Sequence, residues 1–171
     1  MYKIIDNCLD QETFLTLKNT LLGADFPWYL NSSKVFKNSV VPEKYNYQFT
    51  HTFYHNYAGS SDWLKVIIPL VTVINPAAIV RIKANLTPLT SSIITYDFHV
   101  DEPWFIGKTA IYYVNTNNGY TEFENGQRIE SVENRLVIFN SDTLHTGTSC
   151  TDEKVRCVLN LNYFEKQLKA V

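Results

Sequence analysis

The sequence predicts an α+β chain that is mainly β. Helical periodicity is confined to the first 78 residues, and from Ile79 onward short alternating segments recur between turn residues. Aromatic residues make up 14% of the chain, a share that suits a β-rich core. No repeat, low-complexity tract or linker interrupts the 171 residues, a length that supports one hydrophobic core. The expected organisation is a single domain over 1–171, with a helical, substrate-side part at 1–78 and a jelly-roll core at 79–165.

In chain order, Asp10 can cap a helix that runs to about Leu22 and stops at Gly23. Its apolar positions Phe14, Leu17 and Leu21, with Leu15 and Leu22, fall on one stripe. Tyr45 to His55 alternates aromatic and polar residues and reads as a strand. Ser61 or Asp62 can cap a second helix through about Ile74, which Pro69 either kinks or starts late. Strands are then expected at about 79–86, 92–101, 109–115, 120–123, 127–131, 135–140 and 155–163. Turn residues separate them at Thr87-Pro88, Pro103, Asn117-Asn118-Gly119, Asn125-Gly126 and Asn140-Ser141-Asp142. Asn125-Gly126 signals a type I′ hairpin. Helices followed by short strands suggest helices that buttress a β-sandwich, and the double-stranded β-helix, a relative of the jelly roll, fits this layout.

Alternation divides three strands into polar and apolar faces. Arg156, Asn160 and Asn162 oppose Cys157, Leu159, Leu161 and Tyr163; Arg81, Lys83 and Asn85 oppose Ile82, Ala84 and Leu86. Thr95, Asp97, His99 and Asp101 oppose Ile94, Tyr96, Phe98 and Val100. Either the polar faces look into a wet interior cleft, or they face solvent as in an ordinary antiparallel sheet; the alternation is the same in both.

The string Phe98-His99-Val100-Asp101 favours the cleft. In an extended strand His99 and Asp101 point the same way. With a third ligand from a distant strand, His145, two imidazoles and one carboxylate occupy one face of an octahedron and leave three positions open, the arrangement of non-heme Fe(II) sites. The remaining histidines, His51 and His55, are four apart in an expected strand and read as packing or surface residues. Arg156 follows His145 and can grip a carboxylate bidentately while staying charged; its competing reading is an ion pair with Asp152 or Glu153.

Taken in order, the segments Arg81–Leu86, Phe98–Asp101, Ala110–Asn115, Arg135–Phe139, His145 and Arg156–Asn162 resemble the 2-oxoglutarate/Fe(II)-dependent dioxygenases, in particular the prolyl-hydroxylase branch. The resemblance covers roughly half the chain, from about Arg81 to Phe164. It implies Fe(II) on His99, Asp101 and His145, with 2-oxoglutarate as cosubstrate, dioxygen as oxidant and ascorbate as reductant. It gives Arg156 the far carboxylate of 2-oxoglutarate, with Tyr113, the second tyrosine of Ile111-Tyr112-Tyr113, as a hydroxyl donor. Asn85 and Asn160 become polar contacts to the cosubstrate. The branch often carries a tyrosine in the first of these strands, and this chain has none there. Trp104, after Pro103, is placed to line the substrate entrance. The implied activity is hydroxylation of a prolyl residue of a protein or peptide, or of another small molecule, with release of succinate and carbon dioxide.

Two other readings use the same residues. A cupin-like metal enzyme would have the triad without 2-oxoglutarate, and a binding module would have the fold without turnover. A net charge of −2 argues against a dedicated nucleic-acid partner. No stretch is long and apolar enough to span a membrane, and the N-terminus lacks a secretory h-region, so a cytoplasmic location is expected. Cys8, Cys150 and Cys157 are odd in number and widely spaced, which favours free thiols in a reducing compartment over a Cys150–Cys157 disulfide.

Overall fold

The computed structural model describes residues 2–34, 39 and 41–166. Its elements run β1 (Lys3–Ile5), α1 (Gln11–Leu21), β2 (Tyr29–Asn31), a 3-10 turn (Glu43–Tyr45), β3 (Gln48–His55), β4 (Ala58–Gly59) and α2 (Leu64–Ile74). There follow β5 (Ala78–Pro88), β6 (Lys108–Tyr113), β7 (Tyr120–Phe123), β8 (Arg128–Glu130), β9 (Arg135–Asn140), β10 (His145–Gly147) and β11 (Val155–Phe164). The strands form a large antiparallel sheet in the order β1-β9-β6-β11-β5-β3-β2, with β4 on β3, and a small sheet β10-β7-β8. Positions 35–38 and 40, inside the part expected to shape the substrate side, lie outside the described residues.

Both helices form where the sequence places them. The Asp10 carboxylate accepts from the Thr13 amide at 3.0 Å, satisfying one of the open donors of α1. At its other end a side chain on Gly23 would meet the Asn19 carbonyl at 2.7 Å, so the chain leaves the helix at the one residue without a Cβ. Helix α2 starts later than Ser61, with Trp63 as its cap, and carries Pro69 inside. The Ser61 hydroxyl nevertheless accepts from the Trp63 amide just before the first turn.

The helices cover the outer face of the large sheet. Phe14, Leu17 and Leu21 of α1 and Ile67 and Leu70 of α2 pack on Ile82, Ala84, Leu159 and Leu161. Each fully buried leucine or phenylalanine contributes roughly 2 kcal/mol. A second cluster, with Ile111, Phe123, Ile129, Val137, Phe139 and Val158, fills the space between the two sheets. The apolar faces of β5 and β11 thus lie against helices, and their polar faces turn inward. Arg156 is 4% exposed and Asn162 is fully buried, which rules out the ordinary polar-out sheet.

Three expectations are corrected. The segment 92–101 is not a strand; it pairs only at the isolated bridges Thr95–Thr148 and His99–His145. Side chains take its ladder groups: Thr146 Oγ1 donates to the Tyr96 carbonyl, His99 Nδ1 reaches the Asp97 carbonyl, and the Ile94 amide donates to Ser149 Oγ. The Asn125-Gly126 turn is not type I′, because only Gly126 has positive φ (+80°). The Phe123 amide instead donates to the Gln127 carbonyl across a three-residue loop with Gly126 in the left-handed position. The short strands β1, β2, β4 and β10 were absent from the sequence pattern, because two or three residues are too few to show a period.

All three cysteines are free thiols. Among the described residues no helix is long and apolar enough to cross a membrane.

Candidate metal centre

Two backbone hydrogen bonds bring the histidines together. The His99 amide donates to the His145 carbonyl at 3.0 Å and the His145 amide returns the bond at 3.1 Å. The ring centroids lie 4.9 Å apart. The triad is compact: one ligand atom from each of His99, Asp101 and His145 lies within 4.8 Å of the others.

Each imidazole is fixed by its own chain. His99 Nδ1 lies 3.0 Å from the carbonyl of Asp97, and His145 Nδ1 lies 3.0 Å from the carbonyl of Thr143. A carbonyl only accepts, so both rings carry their proton on Nδ1 and leave the Nε2 lone pair free. That is the tautomer a metal-binding histidine needs, and the bond to the carbonyl also sets the ring plane. Phe139 meets the His145 ring edge-on with centroids 4.8 Å apart. Burial, followed by the neighbouring His145, pushes the His99 pKa down, which favours the neutral ligand.

Asp101 is oriented by residues that sequence reading assigned no role. Asn162 donates to Asp101 Oδ2 at 3.1 Å and to Thr109 Oγ1 at 3.0 Å. Arg81 lies 3.2 Å from Asp101 Oδ1, pairs with Glu102 at 2.7 Å and donates to Asn162 Oδ1 at 3.2 Å. Burial alone would raise the Asp101 carboxyl; Arg81, the two histidines and Asn162 outweigh it and hold it at about 2. A carboxylate ionised at neutral pH beside two free imidazole nitrogens is a donor set that fits a divalent transition metal.

A cavity extends from this triad to Arg156, with Asn85, Thr87, Thr121 and Val158 in its walls. The β5–β11 ladder explains the layout. Arg156 stands opposite Thr87, Val158 opposite Asn85, Asn160 opposite Lys83, and Asn162 opposite Arg81. The triad sits by the last two pairs and the arginine at the first.

Arg156 donates to Ser131 Oγ at 2.9 Å and to Thr121 Oγ1 at 3.2 Å. Asp152 instead accepts from the Asn118 amide, and among the described residues no carboxylate pairs with Arg156. Burial lowers its pKa from the ordinary arginine value, but a guanidinium remains charged. A buried cation without a counterion is an anion site. Gly119 makes room for it, since a Cβ there would lie 2.6 Å from Arg156 Cδ and 2.6 Å from the Ser149 carbonyl.

Asn85 and Asn160 both line the cavity, and the buried Oδ1 of each has no partner among the described residues. Asn160 Nδ2 lies 3.5 Å from both Asp101 oxygens. Tyr113 is fully buried but does not itself line the cavity; its hydroxyl donates to Thr121 Oγ1 at 2.8 Å, the oxygen that Arg156 also uses. Tyr96 is buried and outside the cavity lining, and its ring centroid lies 3.5 Å from Lys34 Nζ. Trp104 is exposed and tied to Glu102 at 2.8 Å rather than set in the cavity wall.

Lys34 and Lys83 also line the cavity. Lys34 donates to Thr87 Oγ1 at 2.9 Å, and burial, with Arg156 and Lys83 nearby, pushes its pKa well below the ordinary lysine range. No motif marks Lys34, which reaches the site from the loop after β2. Arg81 and Lys83 are visible in sequence only as polar-face residues of a strand.

By sequence, the chain matches no family model and no curated protein. Its structure matches solved ones. A prolyl hydroxylase from Trichoplax adhaerens, in complex with a hypoxia inducible factor oxygen degradation domain peptide fragment, superposes at TM-score 0.71 and 16% identity, over 96% of this chain and 83% of that one. A prolyl-4-hydroxylase from Pseudomonas putida matches at TM-score 0.59 and 14% identity, over 96% and 92%. The non-heme α-ketoglutarate-dependent epimerase SnoN of nogalamycin biosynthesis matches at TM-score 0.67 and 12% identity, over 96% and 78%. The chain therefore has the mainly-β jelly-roll fold found in 2-oxoglutarate- and Fe(II)-dependent oxygenases, prolyl hydroxylases among them.

Proposed function

We propose that this protein is a single-domain 2-oxoglutarate- and Fe(II)-dependent dioxygenase that hydroxylates a prolyl residue or another small substrate. The observation that carries the reading is the pairing, in one cavity, of a His-Asp-His cluster with a buried arginine that has no counterion. A metal alone would explain the cluster and leave Arg156 uncompensated. A dicarboxylate that chelates the metal with one end and meets Arg156 with the other explains both.

His99, Asp101 and His145 would hold the iron. Bound iron with 2-oxoglutarate and dioxygen would supply the oxidising power, converting the cosubstrate to succinate and carbon dioxide as one substrate C–H becomes C–OH. The protein's own residues do the positioning. The Asp97 and Thr143 carbonyls hold the Nδ1 side of both imidazoles and aim the rings. Asn162 and Arg81 hold the carboxylate. Arg156 fixes the far carboxylate, and Ser131 and Thr121 hold its guanidinium in place while Tyr113 steadies Thr121. Asn85 and Asn160, as polar contacts to the cosubstrate, would meet its oxygens with their N–H sides. Ascorbate as reductant and a cytoplasmic setting belong to the same reading, and the three free thiols suit a reducing compartment.

The test is anaerobic titration of the Fe(II)-loaded protein with 2-oxoglutarate. Chelation should give a weak visible charge-transfer band near ~500 nm, absent in His99→Ala. Iron binding without the band would favour a cupin-like enzyme, and no iron binding would leave a binding module.

A further inference from the structure

The three cations of the cavity are not equally partnered. Arg156 has two hydroxyls and faces the place of the cosubstrate's far carboxylate. Lys34 has the Thr87 hydroxyl and the Tyr96 ring. Lys83 is partly buried, and among the described residues it has neither a hydrogen bond nor an ion pair. It stands opposite Asn160, one rung from the Arg81–Asn162 pair that holds Asp101.

Lys34 is met by the Thr87 hydroxyl and the Tyr96 ring, and the other charges of the proposed oxygenase site balance without Lys83. The metal and Asp101 leave one positive charge for the near end of 2-oxoglutarate, Arg156 meets the far end, and Arg81 is offset by Glu102. Asp101 and Glu102 act on the Lys83 ammonium only from a distance, without an ion pair, so it is open to an anion from outside. Beside it on the same face, the buried Oδ1 atoms of Asn85 and Asn160 lack donors. Asn160 keeps its N–H side toward Asp101, which leaves its oxygen as the end of the amide without a partner among the described residues. One ligand with a carboxylate and an N–H group satisfies the cation and the acceptors together. A prolyl residue inside a peptide brings neither a carboxylate nor an N–H.

We propose that Lys83 seats the carboxylate of a small, amino-acid-like substrate beside the metal ligands, with the amide oxygens of Asn85 and Asn160 accepting its N–H groups. This rests on the oxygenase reading, which supplies the cosubstrate that leaves Lys83 unoccupied.

The experiment uses protein labelled at lysine 13Cε and loaded with Zn(II) and 2-oxoglutarate, with the Lys83 signal assigned through Lys83→Met. Glycine should shift that signal saturably, with a dissociation constant of about 1–10 mM. Glycinamide, which has no carboxylate, should leave it in place. Lys83→Arg should keep glycine binding and Lys83→Met lose it, with 2-oxoglutarate affinity within about twofold of wild type in both. The proposal is overturned by no shift up to about 100 mM glycine, or by an equal response to glycinamide. It is also overturned by a Lys83 shift on adding 2-oxoglutarate alone, which would give the lysine to the cosubstrate. If wild-type protein fails to bind 2-oxoglutarate at all, the oxygenase reading fails instead, and the glycine titration is read on the Zn(II)-loaded protein.

Discussion

The two ends of the cavity are built differently. At the anchor end, Arg156 projects from β11, a ten-residue strand paired along both sides with β5 and β6. The backbone ladder fixes its position, and two hydroxyls settle the guanidinium. At the metal end, His99 and Asp101 come from irregular chain and His145 from a three-residue strand. There the ladder contributes two hydrogen bonds between the histidines, and side chains and stray carbonyls do the rest. The anchor end should therefore tolerate changes around it until the strand itself is disturbed. The metal end depends on each small contact separately.

The largest effect is expected at the metal end. His99→Ala should abolish stoichiometric Fe(II) or Zn(II) binding while the far-UV spectrum stays unchanged, because the ring is partly exposed and outside the core clusters; metal content after gel filtration checks this. At the anchor end, Arg156→Lys keeps the charge and loses the fork. Its 2-oxoglutarate affinity should fall about tenfold to a hundredfold by calorimetry, with metal binding intact. If Arg156→Ala bound cosubstrate as wild type does, the anchor assignment would be wrong.

Gly119→Ala probes the same end without touching the charge. The new methyl would press on Arg156 Cδ and on rigid backbone at Ser149. A loss of roughly 1–3 kcal/mol in denaturant unfolding is expected, together with weaker cosubstrate binding. Unchanged stability would mean that the strand shifts more freely than this comparison allows.

Acid separates the ends more gently. Asp101 has a folded pKa of about 2 against an ordinary 3.8. Because the folded value is depressed, its contribution is complete above pH 3.8 and is lost as the pH falls toward 2. For metal-free protein this amounts to about 2 kcal/mol. Arg81→Met should raise the Asp101 pKa and shrink that contribution, and paired acid titrations monitored by unfolding would show the difference.

Much of the anchor end was legible in sequence, because β5 and β11 alternate cleanly over many residues and every polar-face residue lands inside. The triad was legible by spacing, although the reason given was incomplete. His99 and Asp101 converge without a regular strand, and no pattern of two-residue alternation foretells a segment whose carbonyls are claimed by side chains. Arg81 and Asn162 were visible as polar-face residues, but their grip on Asp101 depends on a contact between distant segments. Lys34 was invisible for a simpler reason: it lies in a loop, where position carries no periodicity. Tyr113 lies near Arg156, but its hydroxyl contact with Thr121 joins two strands whose packing no local pattern foretells.

The reciprocal amide bonds between His99 and His145 have a mechanical consequence. A metal on these two rings would act as a staple across the open end of the small sheet, at the end of a pairing that otherwise runs through the Tyr96–Gly147 and Ser149–Ile94 bonds. Its binding energy would then oppose local opening there. Amide exchange at Tyr96, His99, His145 and Ser149 should slow sharply when Zn(II) is added, while amides in the middle of β5 and β11 keep their metal-free rates.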